Sequence, residues 1–171
     1  MIRLYLTEYG GANEHETARR LAEYAFSDTF KRSAVLCHEP SGKPRFKDED
    51  NIHISISHSD GLCAAVISDR KIGADIEHMT GNEERLIRLA KRFFTETEVS
   101  SIEKKPTESF YRIWCAKESY MKYTGEGFSR PMRSFSVLDS DLCFSHLSFK
   151  DYALCICSEE SYTAEPLHVI L

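Results

Sequence analysis

Two hydrophobic periods follow one another along this chain, and their order sets the expected elements. Residues 2 to 6 are apolar enough for a first strand, and residues 12 to 30 place Leu21, Tyr24 and Ala25 at helical spacing. A basic loop containing Pro and Gly follows. "HISISHS" (53–59) alternates strictly, with Ile52, Ile54 and Ile56 on one side, so it reads as a strand. "LCAAVIS" (62–68) is continuously apolar and reads as a buried strand, and "SDRK" supplies a turn into "IGADIE", predicting a hairpin. "NEERLIRLAKRFF" (82–94) is helical. Thr95 stands three residues before Glu98, the pattern of a capping box opening a short helix. Pro106 suits the first turn of a long helix ended by Gly125 and Gly127. "SFSVLD", "LCFSHLSF", "YALCICS" and "LHVIL" then read as strands. The order predicts an α+β fold of two similar lobes, each an antiparallel sheet packed against a helix. The lobes are 1–72 and 73–171, sharing a seam near residues 72–76.

Composition narrows the class. Hydrophobic residues make up 42% and charged residues 29% of 171, as in ordinary globular proteins. No apolar run approaches the roughly 18 residues needed to span a bilayer, and "MIRLYLTEYG" reads as a strand, not a signal peptide. The six cysteines form no C-x-x-C pair, which fits reduced thiols in a cytoplasmic protein. A net charge of −5 argues against nucleic-acid binding. The stretch 31–47 is locally basic, with Lys31, Arg32, Lys43, Arg45 and Lys47 against Glu39 alone. It reads either as a solvated loop or as an anion site.

"GADIEHM" (73–79) carries the chemistry. Asp75 and Glu77 lie two apart on a strand and so face one side, opposite Ile72, Ala74 and Ile76. On the long helix, Phe110, Ile113, Trp114 and Met121 form an apolar stripe. Glu118 borders that stripe, with Lys122 one turn on. This is either a surface Glu–Lys pair or a carboxylate near the core that needs a partner. If the helix packs on the strand, Asp75, Glu77 and Glu118 converge. Three oxygen ligands with open positions suit Mg²⁺, which completes its shell with water and substrate phosphates.

Several segments resemble, in order, the Sfp-type (group II) 4'-phosphopantetheinyl transferases. "SGKPRF" is similar to that family's G-K-P loop and "ISISHSDGLCAAVIS" to its S-H-S strand–turn–strand. "IGADIEH" and "FYRIWCAKESYMKYTGEGF" resemble its two signature motifs, and "GEGFSRPMRSFSV" resembles the family's segment just after the helix; together they cover about residues 41–137. The resemblance implies a pseudo-dimer with its active site in the cleft between lobes. It implies Mg²⁺-dependent transfer of the phosphopantetheine arm of coenzyme A to a serine of an apo acyl or peptidyl carrier protein, releasing 3',5'-ADP. Position by position, it assigns Asp75, Glu77 and Glu118 to Mg²⁺ and Glu118 also to deprotonation of the serine. Lys122 falls to the pyrophosphate, and Lys43, Ser57 and His58 to coenzyme A phosphates. From the residues alone, His58 also reads as a turn histidine ending its strand. The family's Arg-rich N-terminal segment is not recognisable; Arg19, Arg20, Lys31 and Arg32 are the candidates for the 3'-phosphate. Residues 78–94 are a candidate carrier-docking region, with Arg85, Arg88, Lys91 and Arg92 supplying charge. A monomer is expected. Two other readings use the same residues: a Mg²⁺-dependent phosphoester hydrolase, and a non-catalytic binder of coenzyme A or carrier protein.

Overall fold

A computed structural model describes residues 1–10, 13–102, 105–163 and 165–171. Four layers are stacked: a helix, a six-stranded sheet, a three-stranded sheet and a helical layer. The first sheet is built from β1 (Ile2–Glu8), β2 (Leu36–His38), β3 (Pro44–Phe46), β4 (His53–Ser59), β5 (Leu62–Ser68) and β9 (Leu167–His168), in the order β2-β3-β4-β5-β1-β9. The second holds β6 (Gly73–His78), β7 (Cys143–Phe149) and β8 (Tyr152–Ser158), in the order β6-β8-β7. Helix α1 (Glu14–Phe30) covers the first sheet. Helices α2 (Glu83–Phe93), α3 (Glu96–Ser101) and α4 (Pro106–Thr124) form the layer over the second. The expected α+β class is observed, but the first sheet is mixed and not antiparallel throughout, because β9 pairs with β1 in parallel.

Strand alternation explains the layering. On β5, Cys63, Ala65 and Ile67 point under α1, while Leu62, Ala64 and Val66 point into the space between the sheets. Both faces are covered, so the strand is apolar throughout. Leu4 and Leu6 from β1 join that inner core, which also takes Ile72, Ala74 and Ile76 from the second-sheet side. As expected, these last three lie on the face opposite Asp75 and Glu77.

Several sequence expectations need correction. The hairpin from β5 into β6 does not form. Both edges of β5 are already taken by β1 and β4, so β6 crosses to the second sheet and pairs with β8. β5 instead makes its hairpin with β4. The basic loop contains a short β2–β3 hairpin. Residue 12, the expected helix start, lies outside the described residues; the structure caps α1 with Asn13, whose side chain accepts from the Glu16 amide at 3.1 Å. "SFSVLD" is not a strand, and two of its backbone groups, the Phe135 carbonyl and the Val137 amide, are held by buried side chains. Lys117 Nζ donates to the carbonyls of Met132 (2.9 Å) and Phe135 (2.5 Å) and pairs with Glu98 at 2.9 Å, both side chains fully buried. Glu98 in turn accepts from the Val137 amide at 2.9 Å. The same Glu98 completes the expected capping box with Thr95. One buried ion pair therefore ties α3, α4 and the 132–137 segment together.

The tightest contact lies between β6 and α4. A Cβ on Gly73 would fall 2.0 Å from the Ser119 carbonyl oxygen and 2.4 Å from the Tyr123 nitrogen. Both are helix backbone atoms that cannot yield locally. Only glycine lets strand and helix approach this closely.

Gly73→Ala is therefore expected to lower unfolding free energy by more than about 3 kcal/mol. A urea midpoint equal to that of the wild type would show that the close approach does not exist. Lys117→Met is expected to cost about 3–5 kcal/mol, because Glu98 is left buried and unpaired. Adding Glu98→Gln should recover part of that loss, which a double-mutant cycle measures.

Candidate active site

The β6–α4 contact fixes a strand with two outward carboxylates against a helix that carries a third. Asp75, Glu77, Glu118 and Lys122 line one cavity of about 380 Å³, together with Ser57 and His58 from β4. Asp75 is only 4% exposed. Its Oδ1 accepts from the Ser57 hydroxyl at 2.8 Å and from Lys122 Nζ at 2.8 Å, and Lys122 also donates to Ser57 Oγ at 2.8 Å. Lys122 thus pairs with the strand carboxylate and not, as helical spacing suggests, with Glu118. Beside it, Ser59 donates to Glu77 Oε2 at 3.0 Å and accepts from the His78 amide at 3.1 Å.

Three serines on the polar face of β4 therefore hold β6. Ser55 accepts from the Ala74 amide at 2.8 Å, and Ser57 and Ser59 hold the carboxylates of Asp75 and Glu77. Sequence reasoning singled out Ser57 and passed over Ser55 and Ser59. Their signal was the alternation itself: the face of "SISHS" opposite the isoleucines is uniformly hydroxyl. Gly73 and Lys117 were likewise missed. An isolated glycine in a strand pattern is the mark of close backbone approach, whereas nothing local distinguishes Lys117 from a surface lysine.

The electrostatics are those of a crowded acidic pocket. Burial first, and Asp75 second, push the Glu118 carboxyl up to about 7; Lys122 opposes them. Burial and Asp75 also raise Glu77, against the Ser59 and Trp114 side chains, which favour its charged form. Three carboxylates face one ammonium. Asp75 Oδ2 is buried without a hydrogen-bond partner. An orphaned carboxylate oxygen in a group with excess negative charge is where a hard cation fits, and an all-oxygen donor set suits Mg²⁺. The three acids stand wider than a coordination shell: their oxygens do not all lie within 4.8 Å of one another.

The other sequence candidates surround this pocket. Lys43 donates to the Tyr123 carbonyl at 3.3 Å; burial, then Lys71, hold its ammonium below the usual lysine range. It lines an adjoining cavity of about 270 Å³ with Lys122. His58 lines both the carboxylate cavity and a larger one of about 760 Å³, which also takes in Arg19. Ile56 is a wall common to all three. Lys31 and Arg32 are paired with Asp28 and Glu49. Arg85, Arg88, Lys91 and Arg92 are all exposed along α2.

Residues 71–168, more than half of the chain, match the family described as the 4'-phosphopantetheinyl transferase superfamily. A 4'-phosphopantetheinyl transferase of Bacillus subtilis is 40% identical over 100 residues, which cover 56% of this chain and 43% of that protein. The 4'-phosphopantetheinyl transferase psf-1 of Bacillus pumilus is 28% identical over 134 residues, 76% of this chain and 56% of the relative. The 4'-phosphopantetheinyl transferase AcpT of Escherichia coli O157:H7 is 27% identical over 141 residues, 80% and 72% of the two. The match thus spans less than half the length of the Bacillus subtilis relative.

The raised Glu118 carboxyl has a measurable consequence. Its folded value of about 7 lies above its ordinary 4.5. The folded chain therefore favours the protonated form. That contribution is fully present below about pH 4.5 and is lost as pH rises through about 7. In chelator, Glu118→Gln is expected to gain thermal stability over the wild type on going from pH 5 to pH 8. A difference in melting midpoint that does not change with pH would show that Glu118 is not desolvated.

Proposed function

Because the chain belongs to the 4'-phosphopantetheinyl transferase superfamily, we propose that it moves the phosphopantetheine arm of coenzyme A onto a serine of an apo carrier protein. The serine oxygen attacks the phosphorus bearing the pantetheine arm. The bond from that phosphorus to the bridging oxygen breaks, and 3',5'-ADP leaves with the electron pair. Such a transfer needs positioning and charge neutralisation more than covalent catalysis. The observation that carries the reading is the convergence of Asp75, Glu77, Glu118 and Lys122 on one open cavity beside Ser57 and His58.

Asp75, Glu77 and Glu118, which stand wider than a coordination shell, would draw together on Mg²⁺, which supplies charge neutralisation to the pyrophosphate when bound. Glu118 accepts the serine proton, since it faces the cavity that also takes in Lys122. Lys122 offers its ammonium to the pyrophosphate oxygens, and Ser57 positions that ammonium through their 2.8 Å contact. Lys43 and His58 meet coenzyme A phosphates along the adjoining cavities. Arg19 lines the His58 cavity, which supports it for the 3'-phosphate; it pairs with Glu16 at 2.7 Å and Glu23 at 2.8 Å, as Lys31 and Arg32 pair with Asp28 and Glu49. The exposed basic residues of α2 offer an acidic carrier a docking face.

The finer architecture belongs to the same reading. Lobes 1–72 and 73–171 would form a pseudo-dimer with the site in the cleft between them, acting as a monomer. One sheet with one long helix on each side of the inner core supports this. β9 nonetheless returns to pair with β1, so the two lobes are tied at both ends of the chain. The absence of disulfides among the six cysteines suits a cytoplasmic setting.

Incubation with coenzyme A, Mg²⁺ and an apo carrier protein is expected to raise the carrier mass by one phosphopantetheine. Glu118→Gln should cut the transfer rate by about 10²-fold or more while leaving the protein folded. Coenzyme A binding without any change in carrier mass would favour the non-catalytic binder instead. Nucleotide release without a carrier would favour the hydrolase.

A further inference from the structure

A second set of metal-ligating side chains lies where the first turn of α1 meets the end of β4. Glu14, His15 and His58 are, among the described residues, the one trio of His, Cys, Asp or Glu ligand atoms that all lie within 4.8 Å of one another. His58 Nδ1 is 3.6 Å from Glu14 Oε2, and His15 Nε2 is 3.9 Å from Glu14 Oε1. The two imidazoles meet edge to face, with centroids 5.5 Å apart. Bonds of about 2.0–2.1 Å around a tetrahedral ion set ligand atoms about 3.4 Å apart. The two histidine–carboxylate separations, to different oxygens of Glu14, are within about half an ångström of that spacing, and every ligand atom of the trio lies within 4.8 Å of the others.

We propose that Glu14, His15 and His58 form a binding site for a zinc-class divalent cation, separate from the three carboxylates of the neighbouring cavity. Two imidazoles and one carboxylate favour a borderline ion such as Zn²⁺ over Mg²⁺, which prefers oxygen. The surroundings hold the ligands in place. Asn13 caps the turn that presents Glu14 and His15. The Tyr9 hydroxyl donates to Glu14 Oε2 at 3.4 Å, and the Cys63 thiol donates to the Glu14 carbonyl at 3.8 Å. The His15 side chain is 81% exposed, which leaves the fourth position open to water.

The site has a regulatory consequence, which rests on the proposed contact between His58 and a coenzyme A phosphate. Zinc on His58 Nδ1 holds the ring against Glu14, so the ring cannot turn to that contact. Zinc should therefore raise the coenzyme A concentration needed for half-maximal transfer without displacing Mg²⁺ from the carboxylates.

Co²⁺ serves as a visible probe at neutral pH. The expected result is a d–d absorption of tetrahedral intensity, displaced by Zn²⁺ and indifferent to excess Mg²⁺. His15→Ala should weaken Co²⁺ binding by more than about tenfold, leave zinc-free transfer unchanged and remove zinc inhibition. Unchanged Co²⁺ affinity in His15→Ala would overturn the inference, as would a near-ultraviolet thiolate band assigning the ion to cysteine. The cobalt titration does not depend on transfer, so a failure of the transferase reading and a failure of this site are separately visible.

Discussion

The approach of α4 to β6 at Gly73 is the constraint on which the rest depends. Without a side chain there, the helix backbone at Ser119 and Tyr123 settles directly onto the strand. That contact sets the depth at which Glu118 and Lys122 face Asp75, two residues along β6. A helix held further out would move the helix carboxylate away from the strand pair and let water into the gap. The desolvation that raises Glu118 would then be lost. Packing and electrostatics at this site are thus one effect seen at two scales.

Two buried polar devices keep the arrangement in register. The serines of β4 supply hydroxyls to the edge of β6, so two strands of different sheets are stitched through side chains. The Lys117–Glu98 pair anchors the opposite face of α4 to α3 and the 132–137 segment. Lys117 and Glu118 are adjacent in sequence but face different environments. One is fully buried and paired; the other borders the cavity. The rotation of α4 about its axis is therefore fixed by a buried charge on one side and a glycine contact on the other. A helix so pinned carries its functional side chains at a defined angle, as phosphoryl transfer requires.

The Asp75–Lys122 pair shows how the pocket's own residues offset like charge. The lysine ammonium sits on the strand carboxylate, and a neighbouring carboxylate, Glu118, is held up near neutrality. Both responses lower the net charge of a partly buried group. The unpartnered Asp75 Oδ2 is what neither response reaches.

Much of this was legible in the residues. Strict alternation over 53–59, the continuous apolar run over 62–68, the Thr95 capping box and the Pro106–Gly125 limits of α4 are all present in the structure. These are local signals, in which periodicity and capping act within a few residues. The pairing of Asp75 with Glu77 on one face followed from strand period alone. Local pattern could not reveal which strands would be neighbours. It offered a β5–β6 hairpin that the occupied edges of β5 forbid, and it read "SFSVLD" as a strand whose Phe135 carbonyl and Val137 amide are in fact held by Lys117 and Glu98. It also could not tell Lys117 from a surface lysine, or assign Lys122 to Asp75 over Glu118. Those outcomes depend on which distant groups compete for one hydrogen bond or one volume. Sequence settled what each element is made of; the tertiary structure alone decided which partner each polar group finds.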